Sequence, residues 1–246
     1  MHSTTASPGS GRDAPSARRV VGPRRELKIA IDREDRHWAG SLVRMHPAGF
    51  QATYPGRWVN NVYFDSPSLQ NYEDNVAGIA NRRKVRLRWY GELEGGSTPV
   101  LELKLRKNGW GWKVRYSIDA LEQVAGRSWG DLLALLTESM EPGDRPALEE
   151  DRVPILVNRY YREYYRSMWG ECDLTVDTGY RFFDQRLASR PNLSHPVPTA
   201  RGMVIELKFP AGGEQAVREI ASRFPFRLTK SSKYVLGVQA CCAAGG

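Results

Sequence analysis

Lys84, Arg86 and Arg88 alternate with Val85, Leu87 and Trp89. Side chains two apart on a β-strand leave from the same face, so the three cations project to one side. A single run of this kind is explained by the solvated face of a half-buried strand. Here the pattern recurs. Glu26 and Lys28 oppose Leu27 and Ile29, and Glu102, Lys104 and Arg106 oppose Leu101, Leu103 and Leu105. Lys113 and Arg115 oppose Trp112, Val114 and Tyr116, while Glu206 and Lys208 oppose Ile205, Leu207 and Phe209. Arg159 lies in a further strand-like run over 155–165.

Like charges on neighbouring strands repel, so several aligned basic rows need a compensating anion. An open sheet with a wet basic face would accommodate them. So would a closed barrel with its charges inward and its apolar faces covered by helices. A barrel lined by Lys and Arg with a few Glu is a container for a polyanion and a divalent metal. Phosphate is the natural guest, because Arg offers a planar fork and Lys a mobile point charge. Glu oxygens among phosphates suit Mg²⁺ or Mn²⁺.

The elements that must position these residues read as α+β. Strands are expected over 25–31, 58–65, 84–90, 100–107, 112–118, 155–165, 172–180 and 203–209, mostly antiparallel. Helices are expected over 33–46, near 69–76, and over 129–139, 214–223 and 231–240. This gives a closed antiparallel barrel, or tunnel, of about eight strands with helices packed outside. Residues 1–23, rich in Ser, Gly, Pro, Ala and Arg, read as a disordered basic tail, and 24–246 as one domain. The stretch from about Asp184 to Arg201 reads as a long Pro-rich loop.

The chain has 246 residues, 41% hydrophobic and 26% charged, which suits a globular core. Its net charge is +8, and half of that excess comes from five arginines against one aspartate in residues 1–25. A body-wide nucleic-acid surface is therefore not required, and no nucleic-acid partner is expected. No stretch approaches the ~18 apolar residues of a membrane span, and residues 1–17 lack the apolar core of a secretory signal. Three cysteines, Cys172, Cys241 and Cys242, make neither a disulfide framework nor a four-ligand zinc site, so a cytoplasmic setting is the default. None of the four histidines falls in a basic strand, which argues against a phosphohistidine step. Trp89, Trp110, Trp112, Tyr160, Tyr161, Tyr164 and Tyr165 read as core packing or as cover for the barrel exterior.

In order and spacing, several stretches resemble the polyphosphate polymerase domain of the vacuolar transporter chaperone (VTC) family, within the triphosphate tunnel metalloenzymes. They are Arg25-Glu26-Leu27-Lys28, Val59-Asn60-Asn61-Val62-Tyr63-Phe64-Asp65, and the run from Gly78 to Tyr90. Leu101-Glu102-Leu103-Lys104, Asn158-Arg159-Tyr160-Tyr161-Arg162, Val204-Ile205-Glu206-Leu207-Lys208 and Lys230-Ser231-Ser232-Lys233-Tyr234 complete the set. The resemblance runs from about Arg24 to Val238. It implies a tunnel of eight antiparallel strands that binds ATP and a growing polyphosphate chain. By motif position it implies Lys28, Arg86, Arg88, Lys104 and Arg159 as catalytic phosphate ligands, with Lys208, Lys230 and Lys233 also binding phosphate. Glu206 takes the metal-ligand role, and Glu102 and Glu26 follow it by strand geometry.

Hydrolytic tunnel enzymes of this kind open with Glu-x-Glu-x-Lys, whereas this chain has Arg24, Arg25, Glu26, Leu27 and Lys28. Losing the first carboxylate weakens the case for a two-metal hydrolase. The resulting expectation is a metal-dependent phosphotransferase that moves the γ-phosphate of ATP onto polyphosphate. A tripolyphosphatase or nucleoside triphosphatase on the same fold, and a non-catalytic polyanion-binding module, are the alternatives. With like charges crowded on one face, Arg86→Ala or Arg88→Ala is expected to leave the unliganded fold as stable or more so, while weakening nucleotide binding.

Overall fold

A computed structural model describes residues 18–197, 199 and 201–244, with the backbone alone at Arg201. Eight strands form a barrel: β1 (Arg19–Asp32), β2 (Gln51–Asp65), β3 (Arg82–Tyr90), β4 (Val100–Lys107), β5 (Trp110–Ser117), β6 (Val153–Arg166), β7 (Asp173–Asp184) and β8 (Arg201–Phe209). The helices are α1 (Arg36–Arg44), α2 (Gln70–Ala77), α3 (Trp129–Glu138), α4 (Arg145–Glu150), α5 (Glu214–Ser222) and α6 (Lys233–Ala244). Around the barrel the order is β1-β5-β4-β3-β2-β6-β7-β8, closed and antiparallel throughout. No described helix is long and apolar enough to cross a membrane.

Closure depends on β1. Its first part, Arg19 to Arg24, pairs with β5, and its second part, Arg25 to Asp32, pairs with β8. The register shifts between Val21 and Arg24, across Gly22 and Pro23. A Gly-Pro step reads in isolation as a chain end, yet here it is the irregularity at which the strand changes partner. Residues 19–23 are thus strand, which corrects the boundary of the expected tail; its remainder, 1–17, lies outside the described residues. In the same way β2 starts at Gln51, because register shifts around Pro55 and Gly56 carry the pairing past both breakers. The short α4, with Pro146 in its first turn, adds a helix beyond those the sequence pattern predicts.

Two apolar clusters cover the outside. Val85, Leu87, Leu101 and Leu103 meet Trp129, Leu132 and Leu136 of α3. Ser128 caps that helix by accepting the amide of Asp131 at 3.1 Å. On the other side Ile29, Ile31, Leu174 and Ile205 meet Ala39 and Val43 of α1 and Val217 of α5. Each such fully buried aliphatic side chain contributes about 1.5–3 kcal/mol.

The sixth helix departs from the expected arrangement of helices outside the barrel. It packs on β6 and β7, where Tyr234 and Val238 join Tyr63, Leu156, Tyr160 and Phe182. Leu156 shares its strand face with Asn158, whose amide oxygen accepts from Asn61 within the barrel at 2.7 Å. The α6 helix therefore fills one end of the interior. Gly237 permits this approach, because a Cβ there would run into Leu156 and Phe182.

Candidate active site: a basic tunnel

The alternating strand faces turn their charges inward. Nine cationic side chains and two carboxylates line a central cavity with free space of about 70 Å³, and Glu102 and Asp177 are buried behind it. The charges are not paired uniformly, and this unevenness organises the site.

One cluster is centred on Glu102, which is 1% exposed. Arg86 Nε donates to its Oε2 at 2.6 Å and Arg115 Nε to its Oε1 at 2.8 Å, with Arg88 Nη1 at 4.0 Å. Burial alone would push this carboxyl up; Arg86, Arg88, Lys113 and Arg115 outweigh it and hold the group well below the usual carboxylate range. Arg88 Nε also donates to Asn61 Oδ1 at 2.7 Å, and its Nη2 to the Tyr160 hydroxyl at 3.2 Å. These contacts fix both guanidinium groups with their remaining edges toward the cavity.

A second cluster is centred on Glu206. Lys233 donates to it at 2.7 Å and Arg162 at 3.1 Å, while Lys208 lies at 3.2 Å and Lys28 at 3.6 Å. Asp177 completes the group, accepting twice from Arg162 at 2.5 and 2.6 Å and pairing with Lys233 at 2.6 Å. Burial opposes the charge on Glu206, but Lys233, Lys28, Lys208 and Arg162 hold its pKa well below the usual range. Lys28 also reaches Glu26 at 3.3 Å and donates to the Ser231 carbonyl at 3.0 Å. Lys104 donates to Glu26 at 3.1 Å.

The third group is cationic. Lys84, Lys104 and Lys113 stand directly opposite one another across β3, β4 and β5. Lys84 donates to Ser232 Oγ, a neutral partner, at 2.7 Å. Burial first, then the neighbouring cations, pulls the pKa values of Lys84 and Lys113 well below that of a free lysine. Burial and Arg162 bring Lys208 down to about 8.

A pH signature follows. Between about pH 8 and pH 10.5 the unfolded chain binds more protons than the native one, so these lysines make the unliganded fold more stable as pH rises. A bound polyphosphate reverses this by favouring the charged ammonium. Triphosphate binding just above pH 8 is expected to take up protons, and affinity to fall as pH rises further. Calorimetric titration in buffers of different ionisation enthalpy measures the uptake; none at all would contradict this account.

The residues expected from the sequence mostly converge. Lys28, Arg86, Arg88, Lys104, Lys208, Lys233, Glu206 and Glu26 line the cavity, and Glu102 lies behind Arg86. Lys230 is not among the residues that line the cavity; it lies beside Gly78, where a Cβ would meet its ammonium at 3.9 Å. Arg159 does not join them. Its guanidinium stacks 4.5 Å from the Trp58 ring and lies 3.7 Å from Glu92, on the opposite face of β6. Arg162 occupies the inner face instead, opposite Arg57 in the register that pairs Asn158 with Asn61. Tyr160, expected as core packing or exterior cover, is buried in a core cluster and also lines the tunnel, with Arg162 and Lys233 within 5.2 and 5.0 Å of its ring. Trp89 does serve as core, donating its indole N–H to the Glu92 and Leu93 carbonyls.

Sequence reasoning named neither Arg162 nor Asp177 as a site residue. Both faces of β6 mix polar and apolar residues, so alternation carries no signal there. Asp177 becomes recognisable only through its contacts across the barrel.

The VTC domain family matches this sequence over residues 24–242. The chain belongs to that family. No curated protein matches it. Among solved structures, a Hippeastrum protein named as a candidate adenylyl cyclase, and described as revealing a dominant triphosphatase activity, is 15% identical. The alignment covers 90% of this chain and 96% of that one, with a TM-score of 0.52. The PH1819 protein of Pyrococcus horikoshii is 13% identical over 88% of this chain and 98% of its own, with a TM-score of 0.49. At this identity the likeness to the Hippeastrum protein establishes the shared tunnel fold, and the VTC membership assigns this chain's place within it.

The donor chemistry decides how a metal would fit a VTC tunnel. Among the described residues no three His, Cys, Asp or Glu side chains gather as a cation cage. Both oxygens of Glu102 accept from guanidinium groups, and the residue lies behind the cavity lining. Glu206 and Glu26 face the same Lys28 ammonium and remain as carboxylates beside the cavity. One or two carboxylates, with substrate phosphates supplying the other oxygens, is an ordinary way to hold Mg²⁺. The residues therefore fit a cation that shares its ligands with bound phosphate.

Proposed function

We propose that this VTC domain is a polyphosphate polymerase-like phosphotransferase that transfers the γ-phosphate of ATP to a polyphosphate chain. The observation that carries the reading is the Lys84–Lys104–Lys113 row beside two clusters whose carboxylates are already neutralised. Such a surface has a surplus of positive charge and asks for a polyanion. The departure at Arg24 supports polymer synthesis over two-metal hydrolysis: it lies near Asp173, at 3.5 Å, where the hydrolytic motif would put an acid.

Phosphoryl transfer depends on positioning and charge stabilisation more than on covalent chemistry by the protein. Arg86 and Arg88, held by Glu102 and Asn61, bind and orient the non-bridging oxygens of the donor triphosphate. Lys28, Arg162, Lys208 and Lys233 neutralise charge around the transferring group. A terminal oxygen of the chain attacks the γ-phosphorus, the bond to the β,γ-bridging oxygen breaks, and ADP departs with that electron pair. Mg²⁺ or Mn²⁺ held through Glu206 and Glu26 would add charge neutralisation at the phosphates. Buried Cys172 and Cys241 and exposed Cys242 are all free, which suits a reducing cytoplasm where ATP is supplied.

The deciding experiment incubates the protein with ATP and Mn²⁺ or Mg²⁺ and follows ADP, free phosphate and polymer length together. Growth of long polymer in step with ADP is expected. Stoichiometric free phosphate without polymer would establish the triphosphatase instead, and binding without turnover would leave a polyanion-binding module.

A further inference from the structure

The basic row does not stop at the tunnel lining. Two residues along β3 from Lys84, on the same face, Arg82 stands directly opposite Arg106 of β4. Like charges in direct cross-strand register destabilise a sheet unless something neutralises them. Arg82 donates to the Ile79 carbonyl, a neutral partner. Among the described residues, no carboxylate lies within ion-pair distance of Arg106 or Lys107, and both are exposed. Lys230 adds another cation beside Gly78, on the segment that leads into β3.

At this same end of the strands lies a groove of about 720 Å³, distinct from the tunnel cavity. Leu105 and Trp112 face it from the sheet, Ser66, Ser68 and Gln70 from the β2–α2 connection, and Arg82, Arg106 and Lys107 from the rim. Two of its three acids are ion-paired, while the third, Asp74, has a neutral hydrogen-bond partner and acts by its charge on Arg82. Arg83 holds Glu150 at 2.5 Å and Asp151 at 2.8 Å, and Asp74 accepts from Gln70 at 2.8 Å. Among the described residues, Arg106 and Lys107 thus stand at the rim without an acid partner, and the Arg82–Arg106 rung continues the lysine row on the inner strand face, while Leu105 and Trp112 belong to the outer face of the same strands.

We propose that the Arg82–Arg106 rung and the groove beyond it form a second anion subsite, which takes the run of phosphates that emerges from the tunnel when the bound chain is longer than a triphosphate. The inference rests on the phosphate-tunnel reading and extends it to one end of the barrel. A flexible inorganic polyanion fits the cations and hydroxyls at the end of the lysine row; Trp112 and the amides of Gln70, Asn71 and Asn81 also line the groove, so a nucleoside is the competing occupant that the test separates.

The test compares the full chain with the Arg82→Ala/Arg106→Ala double variant, using inorganic triphosphate, ATP and long-chain polyphosphate as probes. Triphosphate and ATP affinity should stay unchanged within about twofold, since neither arginine lines the tunnel cavity. Long-chain affinity should fall about tenfold, with a shallower dependence on salt, as expected for lost phosphate contacts. The Arg82→Lys/Arg106→Lys variant should recover most of it, which separates lost charge from a damaged fold. Equal long-chain affinity in parent and double variant would overturn the subsite alone. A loss for ATP greater than for inorganic triphosphate would overturn it too, by making the groove a nucleoside site. A parent protein that binds neither triphosphate nor polyphosphate would overturn the tunnel reading, and this inference with it.

Discussion

Arg86→Ala is expected to lower the stability of the unliganded barrel by about 3 kcal/mol, the scale of removing one partner from a buried ion pair. Repulsion within a basic row, read from the sequence alone, argues for the opposite sign. The structure reverses it, because Arg86 is the double hydrogen-bond partner of Glu102, a carboxylate that is 1% exposed. Truncation leaves that charge to Arg115 and the more distant Arg88. Arg88→Ala should cost less. Arg88 sits against Arg86, the foremost charge opposing its own, and it gives up hydrogen bonds to the neutral Asn61 and Tyr160 in place of two to a buried carboxylate oxygen. Both variants should bind triphosphate more weakly, by about 1.5–3 kcal/mol for a charge-assisted contact. The upward shift in melting temperature on adding triphosphate should shrink to match. Denaturant titration with and without triphosphate reads both quantities. An Arg86→Ala protein as stable as the parent would mean that Glu102 is not held as described, and a full ligand shift would remove Arg86 from the phosphate site.

Glu206→Gln is expected to lower metal-dependent turnover by about 10²-fold or more, the range for losing an electrostatic element of a transition state. It should also destabilise the unliganded protein by about 3 kcal/mol, since Lys28, Arg162, Lys208 and Lys233 would lose a shared counter-charge. Affinity for triphosphate without metal should be retained or increased, because those cations are released to the ligand. The pairing of outcomes is informative: weaker folding with stronger metal-free binding identifies Glu206 as the charge that a bound phosphate replaces. Unchanged Mn²⁺-dependent activity in the folded variant would remove Glu206 from the mechanism.

Much of this protein was readable along the chain. A strand repeats every two residues, so the runs from Lys84 to Trp89, Leu101 to Arg106 and Ile205 to Phe209 settle which side chains share a face. With one face apolar and the other charged, closure around the charges follows once helices are available to cover the apolar side. The ordered stretches from Arg25 to Tyr234 located the family. Tertiary structure decided what alternation leaves open. On β6 both faces are mixed, so only the pairing of Asn158 with Asn61 turns Arg162 inward and Arg159 out. Gly22 and Pro23 look like a terminus until the barrel supplies β5 and β8 as successive partners for one strand. The α6 helix enters the interior because Gly237 leaves room beside Leu156 and Phe182, residues far from it in sequence. Most consequentially, the sequence shows cations and carboxylates sharing faces but not which of them neutralise each other. That depends on distances across the barrel, where low polarizability makes each pairing strong, and it divides the lining into two neutralised clusters and a basic row in which only Lys104 has a carboxylate partner.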